Sequence, residues 1–138
     1  MGERTFTELP FVGDSAQALD VNESGWVLGK VRRYPKYQGI LWSPTGQATL
    51  LPLIEFDDNA EPSAFNDAGT VVGYYNHTHD AFSSGPARAA IWDTTGIHDL
   101  NDLLPAGSGW TLNFANDINN HGQIIGTGTF HGQSVALS

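Results

Sequence analysis

The sequence has no cysteine, so neither a disulfide nor a thiolate-bound metal is open to it. Cations are scarce: 6 Lys plus Arg stand against 15 Asp plus Glu in 138 residues, a formal charge of -9. That balance excludes general nucleic-acid binding, which needs cations against phosphate. No apolar run approaches the length of a membrane-spanning helix, and no charged-then-apolar leader follows Met1, so the chain reads as soluble. Nor does any stretch sustain the 3.6-residue period of an amphipathic helix.

Turn-formers are abundant, with Gly 16 and Pro 7, and short β-branched or aromatic runs lie between them. Both features predict an all-β chain of short strands, and the length fits one domain. The runs recur around one corner. It is clearest in Asp117-Ile118-Asn119-Asn120-His121-Gly122-Gln123-Ile124-Ile125-Gly126 and returns around Asn22/Gly25 and Asn66/Gly69. In each, the Asn side chain is suited to bond backbone further along the turn, and the Gly to take positive φ. Asn22, Gly25, Asn66, Gly69, Asn119 and Gly122 are therefore read as structural turn residues.

Two further markers follow the same period. Leu-Pro pairs at 9–10, 51–52 and 104–105 precede the corner asparagines by 12 to 14 residues. A tryptophan strand follows the corner in Gly39-Ile40-Leu41-Trp42 and Ala89-Ala90-Ile91-Trp92, with a fainter counterpart in Ser134–Ser138. Each repeat therefore has four strands: one into the Asn corner, one out of it, one carrying Trp, and one ending at Leu-Pro. The repeats span roughly 10–52, 53–105 and 106–138, and the lone strand 5–9 is expected to complete the last. The predicted architecture is three four-stranded antiparallel, propeller-like blades; the alternative is a closed threefold body like a β-trefoil. Residues 97–104 could form a helical turn in place of part of a strand. In an antiparallel meander, successive connections fall at alternate ends. The Asn corners thus share one end, and the connections that vary in length share the other, where function is expected.

These corners resemble the repeats of the HAF family, roughly Ala-x-x-Ile-Asn-x-x-Gly-x-Ile-x-Gly followed by an Ala-x-x-Trp strand. Ala115–Gly126 matches nearly throughout, and Ala18–Gly29 and Ala64–Gly73 match around Asn and Gly. The resemblance implies a β-propeller-like fold, a bacterial source and an extracellular or periplasmic location; the absence of a leader also permits a cytoplasmic one. It supplies no catalytic residues.

At the variable end, four of the six cations fall in Lys30–Lys36, giving the basic, tyrosine-bearing loop Arg32-Arg33-Tyr34-Pro35-Lys36-Tyr37. With Asp57, Asp58 and Trp110 on neighbouring loops, the residues Arg32, Arg33, Tyr34 and Tyr37 form the candidate ligand or partner surface, since Arg and aromatics anchor interfaces. The bland reading is a solvated hairpin whose charges protect an exposed edge. His77 and His79 alternate on an extended segment and are weak metal candidates; two ligands without a third make no site, and no metal or other cofactor is expected.

The leading functional reading is a non-enzymatic binding or interaction module whose ligand the sequence does not identify, a protein or a glycan being the candidates. A carbohydrate-binding module stacking sugar on Trp110, Tyr34, Tyr37 and Phe82 is the alternative. A hydrolase using Asp57, Asp58 and Glu61 comes third. A homodimer closing a six-bladed ring is the expected assembly.

Overall fold

A computed structural model describes residues 8–78 and 85–137. Among these residues eleven strands form three separate antiparallel sheets. The first runs β1 (Ser15–Val21), β2 (Val27–Arg33), β3 (Lys36–Trp42), β4 (Ala48–Leu50) in chain order. The second repeats that order with β5 (Asn59–Phe65), β6 (Val71–Asn76), β7 (Arg88–Asp93) and β8 (Gly96–Asp99). The third has β9 (Trp110–Ile118), β10 (Ile124–Phe130) and β11 (Gln133–Leu137). No α-helix occurs among the described residues, and the one helical element is a 3-10 turn over Leu100–Leu103.

The sheets stack face to face with the second in the middle, so its strands bury both faces. Val71, Tyr75, Ala90 and Trp92 point at the first sheet, where Leu28 and Leu51 meet them. Val72, Ala89 and Leu100 point the other way, against Ala115 and Ile118 of the third. Because successive side chains leave a strand on opposite faces, a strand buried on both sides needs an unbroken apolar run. Val71-Val72 and Ala89-Ala90-Ile91-Trp92 are such runs. On the far face of the first sheet, Val31, Ile40 and Trp42 are covered by Leu9 and Ala16. Each indole N–H donates to a carbonyl after a Leu: Trp42 Nε1 to Pro10 O at 2.7 Å, and Trp92 Nε1 to Pro52 O at 2.9 Å.

The corners tie the sheets together. Gly25, Gly69 and Gly122 have φ of 84°, 85° and 80°, the left-handed region that only Gly enters cheaply. Each corner Asn uses Oδ1 inside its own turn, accepting from Ser24 N and Trp26 N, from Thr70 N, and from His121 N and Gln123 N. The amide nitrogen reaches the next repeat: Asn22 Nδ2 donates to Asn66 O, and Asn66 Nδ2 to Asn119 O, both at 3.1 Å. The ladder stops at Asn119, whose Nδ2 turns back to Gln123 Oε1 at 2.7 Å.

The structure departs from the sequence reading in three places. The third sheet has no fourth strand among the described residues. Thr5–Thr7 of the strand expected to supply it lie outside those residues; Glu8 and Leu9 are not in a strand, and Leu9 packs on the first sheet. Among the described residues none of the three sheets is closed on itself. The second repeat's last strand stops at Asp99, and the 3-10 turn follows it. Pairing of Ile40 with Leu50 and of Ala90 with Asp99 puts Leu100, not Leu104, in the place of Leu51. The Leu104-Pro105 pair belongs to an inserted turn, nucleated where Asp99 caps Asn101 N.

Candidate functional site

All connections between the second and third strands of a sheet, and between sheets, fall at the end opposite the Asn corners. In the first sheet the basic segment is a tight hairpin rather than a loop. Arg33 pairs with Lys36 and Arg32 with Tyr37, leaving Tyr34 and Pro35 alone in the turn. Strand pairing extends so far because Asp14 ties down the neighbouring edge, its N–H donating to Arg32 O at 2.7 Å and its carboxylate accepting from Tyr34 N at 2.9 Å. The exposed Arg32 guanidinium lies 5.1 Å from the Tyr34 ring centre.

Tyr37 and the neighbouring Lys30 face the second sheet instead. Lys30 Nζ sits 4.5 Å from the Tyr37 ring centre and donates to Glu61 Oε1 at 2.7 Å. Tyr74 Oη donates to the other oxygen of Glu61. Tyr37 N donates to Asn59 Oδ1 at 2.7 Å, and Asn59 Nδ2 to Asn76 Oδ1 at 3.0 Å. Burial pushes the Glu61 carboxyl up, but the Lys30 and Tyr74 bonds outweigh it and hold the group below its ordinary value. Burial and the Glu61 carboxylate both push the Tyr74 hydroxyl up.

Asp57 and Asp58 belong to a turn over Glu55–Asp58, closed by Asp58 N to Glu55 O at 3.0 Å and Glu55 N to Asp58 Oδ2 at 2.9 Å. The Asp58 side chain is buried against His77, with Oδ1 2.7 Å from Nδ1. Thr78 Oγ1 donates to Asp57 O at 2.6 Å, fastening the turn to the segment after β6. Glu55, Asp58 and His77 bring three possible metal-ligand atoms within 4.8 Å of one another, but Asp58 is already committed to closing the turn. His79 lies outside the described residues, as does Phe82. The carboxylates opposite His77 were missed in the sequence because about twenty residues separate them from it.

A second buried cluster escaped the sequence reading altogether. Asp99, 4 % exposed, accepts from Tyr75 Oη at 2.6 Å, from Arg88 Nε, and from Asn101 N and Nδ2 at 2.8 and 2.9 Å. Asn101 then grips the third sheet like a strand partner, with Nδ2 donating to Leu112 O at 2.8 Å and Oδ1 accepting from Leu112 N at 2.7 Å. Burial pushes Asp99 up, and the bonds from Tyr75, Arg88 and Asn101 prevail, lowering it. The Asp99-Leu-Asn101 spacing of a capped turn was the available signal.

Trp110 opens β9 on the third sheet, its ring 4.7 Å from Phe130, which in turn lies 4.2 Å from His131. The sequence-predicted surface is thus divided. Arg32, Arg33 and Tyr34 share the first hairpin, Tyr37 is drawn into the seam with the second sheet, and Asp57 and Asp58 form the turn after that sheet's predecessor. Trp110 stands on the far side of the second sheet.

No curated protein and no solved structure matches the chain. One family model matches residues 10–135; its description is protein of unknown function (DUF3466). This overturns the resemblance to HAF repeats, on which the expected bacterial source and extracellular or periplasmic location rested. The shared pattern has a local physical cause. An Asn that bonds its own turn and the next, a Gly at positive φ, and a Gly where strands crowd are what a stacked hairpin repeat needs. At Gly126, for example, a Cβ would lie 2.1 Å from Phe114 O. Matching over nearly all of its length, the chain belongs to the DUF3466 family, whose function is unknown.

Proposed function

We propose that the chain is a non-enzymatic interaction module that binds a protein partner through the end opposite its Asn corners. One observation carries this reading: large apolar side chains are exposed at that end beside the basic hairpin. Phe56 is 94 % exposed and Tyr34 71 %, and Phe11, Val12, Ile54 and Leu103 are exposed at the same end. Exposed aromatics flanked by arginines suit a protein surface, where Tyr and Arg anchor contacts. The carbohydrate reading has less support, because Trp110 and the tyrosines lie on sheets separated by the second. A hydrolase has less still, because Asp58 and Glu61 already hold His77 and Lys30.

Selection of displayed peptides against the immobilised chain, run beside a glycan array, tests the proposal. Tyr34→Ala combined with Phe56→Ala should weaken selected peptides by roughly tenfold or more while leaving the melting temperature nearly unchanged. Peptides indifferent to both substitutions would refute the site. A glycan signal lost on Trp110→Ala, with folding intact, would favour the sugar reading.

A second reading concerns assembly: two chains close a six-bladed ring. Leu9-Pro10 sits against Trp42 as Leu51-Pro52 sits against Trp92, in the manner of the end of a preceding sheet's fourth strand. Among the described residues the third sheet is the one with three strands. A partner's third sheet placed before the first would bring the two together, and six blades lie within the usual range of about 4–8.

A further inference from the structure

We infer that Glu55, Asp58 and His77 form a zinc site that fastens the turn after β4 to the end of β6. The sequence offered His77 without the rest of a ligand set; the fold brings two carboxylates to it. One ligand atom from each of the three residues lies within 4.8 Å of the others. His77 Nδ1 stands 2.7 Å from Asp58 Oδ1 and 3.6 Å from Glu55 Oε2. Atoms bound to a tetrahedral zinc at its usual bond lengths are about 3.3 Å apart. Glu55 is therefore near that separation already. The His77–Asp58 pair has to open by roughly half an ångström, a small rotation of the half-buried imidazole.

Charge and support both favour a cation there. The Asp58 side chain is fully buried, and a buried carboxylate needs a charge partner or a metal. Among the described residues no lysine or arginine pairs with Asp58 or Glu55; His77 does, and it is charged only when protonated. Zinc sets two positive charges against two carboxylates and takes the neutral imidazole through Nδ1, the ring proton then sitting on Nε2. Closing the turn occupies only Asp58 Oδ2, which accepts from Glu55 N and so aims Oδ1 at His77. The ligands are also held from behind: Thr78 Oγ1 donates to Asp57 O at 2.6 Å, and Gly85 N to His77 O at 2.7 Å. Magnesium and calcium suit the set less well, because they prefer oxygen throughout. Three protein ligands leave zinc a fourth position, and the exposed Glu55 opens it to water. Phe56 shares this turn, but neither it nor Tyr34 is a ligand, so the zinc site and the partner surface stand or fall separately.

Calorimetric titration of the chelator-treated 138-residue chain with zinc chloride is the direct test. One equivalent should bind at micromolar zinc, and excess magnesium should not displace it. Glu55→Gln, at an exposed position, should weaken binding roughly tenfold or more without moving the zinc-free melting temperature, and His77→Ala should abolish binding. No saturable binding at micromolar zinc, or wild-type affinity in either variant, would overturn the assignment. A readout that needs no variant is the imidazole nitrogen spectrum of the wild-type chain. Zinc should shift His77 Nδ1 more than any other ring nitrogen, and a larger shift at another histidine would refute the site.

Discussion

Asn66 does two jobs with one amide group. Its Oδ1 accepts from Thr70 N at 3.0 Å to hold its own corner, and its Nδ2 donates to Asn119 O at 3.1 Å to hold the neighbouring one. It is 8 % exposed, so water cannot replace either bond easily. Asn119 has the same position in its repeat but is exposed, and its Nδ2 reaches only Gln123. Asn66→Ala should therefore cost about 1–3 kcal/mol, the price of stranding buried polar groups, and Asn119→Ala about 1 kcal/mol or less. Denaturant unfolding of the two variants measures both. Equal losses would show that the asparagines act only within their turns. The sequence made the turn role legible because the Asn-x-x-Gly spacing is local. The inter-repeat bond was not legible, since it joins residues 44 and 53 positions apart.

At the scale of elements, corners and strand order could be read from the sequence, because turn chemistry and apolar runs are short-range signals. What escaped was whatever depends on partners far away along the chain. The basic hairpin is one case: Asp14, eighteen residues before Arg32, extends the pairing and leaves only Tyr34 and Pro35 as a turn. The turn over Leu100–Leu103 is another, held in place by Asn101 bridging to β9. Asp99 is the pivot of that junction, and it makes the junction sensitive to acid. Its folded pKa is lowered, so its stabilising contribution is complete above the unfolded carboxylate value of about 3.9 and is lost as pH falls through the lower folded value. Asp99→Asn removes the charge that Tyr75 and Arg88 bond to and should destabilise the chain by on the order of 2 kcal/mol at neutral pH. The gap between its melting temperature and that of the wild type should narrow as pH falls from 5 toward 2. A gap constant over that range would mean that the Asp99 charge contributes nothing to holding the second and third sheets together.

For the molecule as a whole, the polarity of the corner ladder decides how copies can join. The two corner-asparagine bonds of the ladder run the same way, each from an amide to the carbonyl of the following corner. That leaves one unused amide direction at Asn119 and one corner carbonyl, that of Asn22, without a donor from a preceding repeat among the described residues. A face-to-face pair of identical surfaces would set amide against amide, so the ladder favours head-to-tail contact, which closes into a ring when the rotation per copy allows it. The proposed two-chain ring would satisfy both ends at once and would cover Ile125, which is 50 % exposed on the outer face of the third sheet. Light scattering after size exclusion should give a particle of twice the 14.9 kDa chain mass at micromolar concentration. A strictly monomeric particle there would refute the ring, and a mass that keeps rising with concentration would mean an open head-to-tail series instead. Asn119→Ala separates this contact from folding. It should shift the dimer toward monomer by roughly fivefold or more, as expected for losing about one hydrogen bond at each of two interfaces. The isolated monomer, in which Asn119 is exposed, should melt within a few degrees of the wild-type monomer.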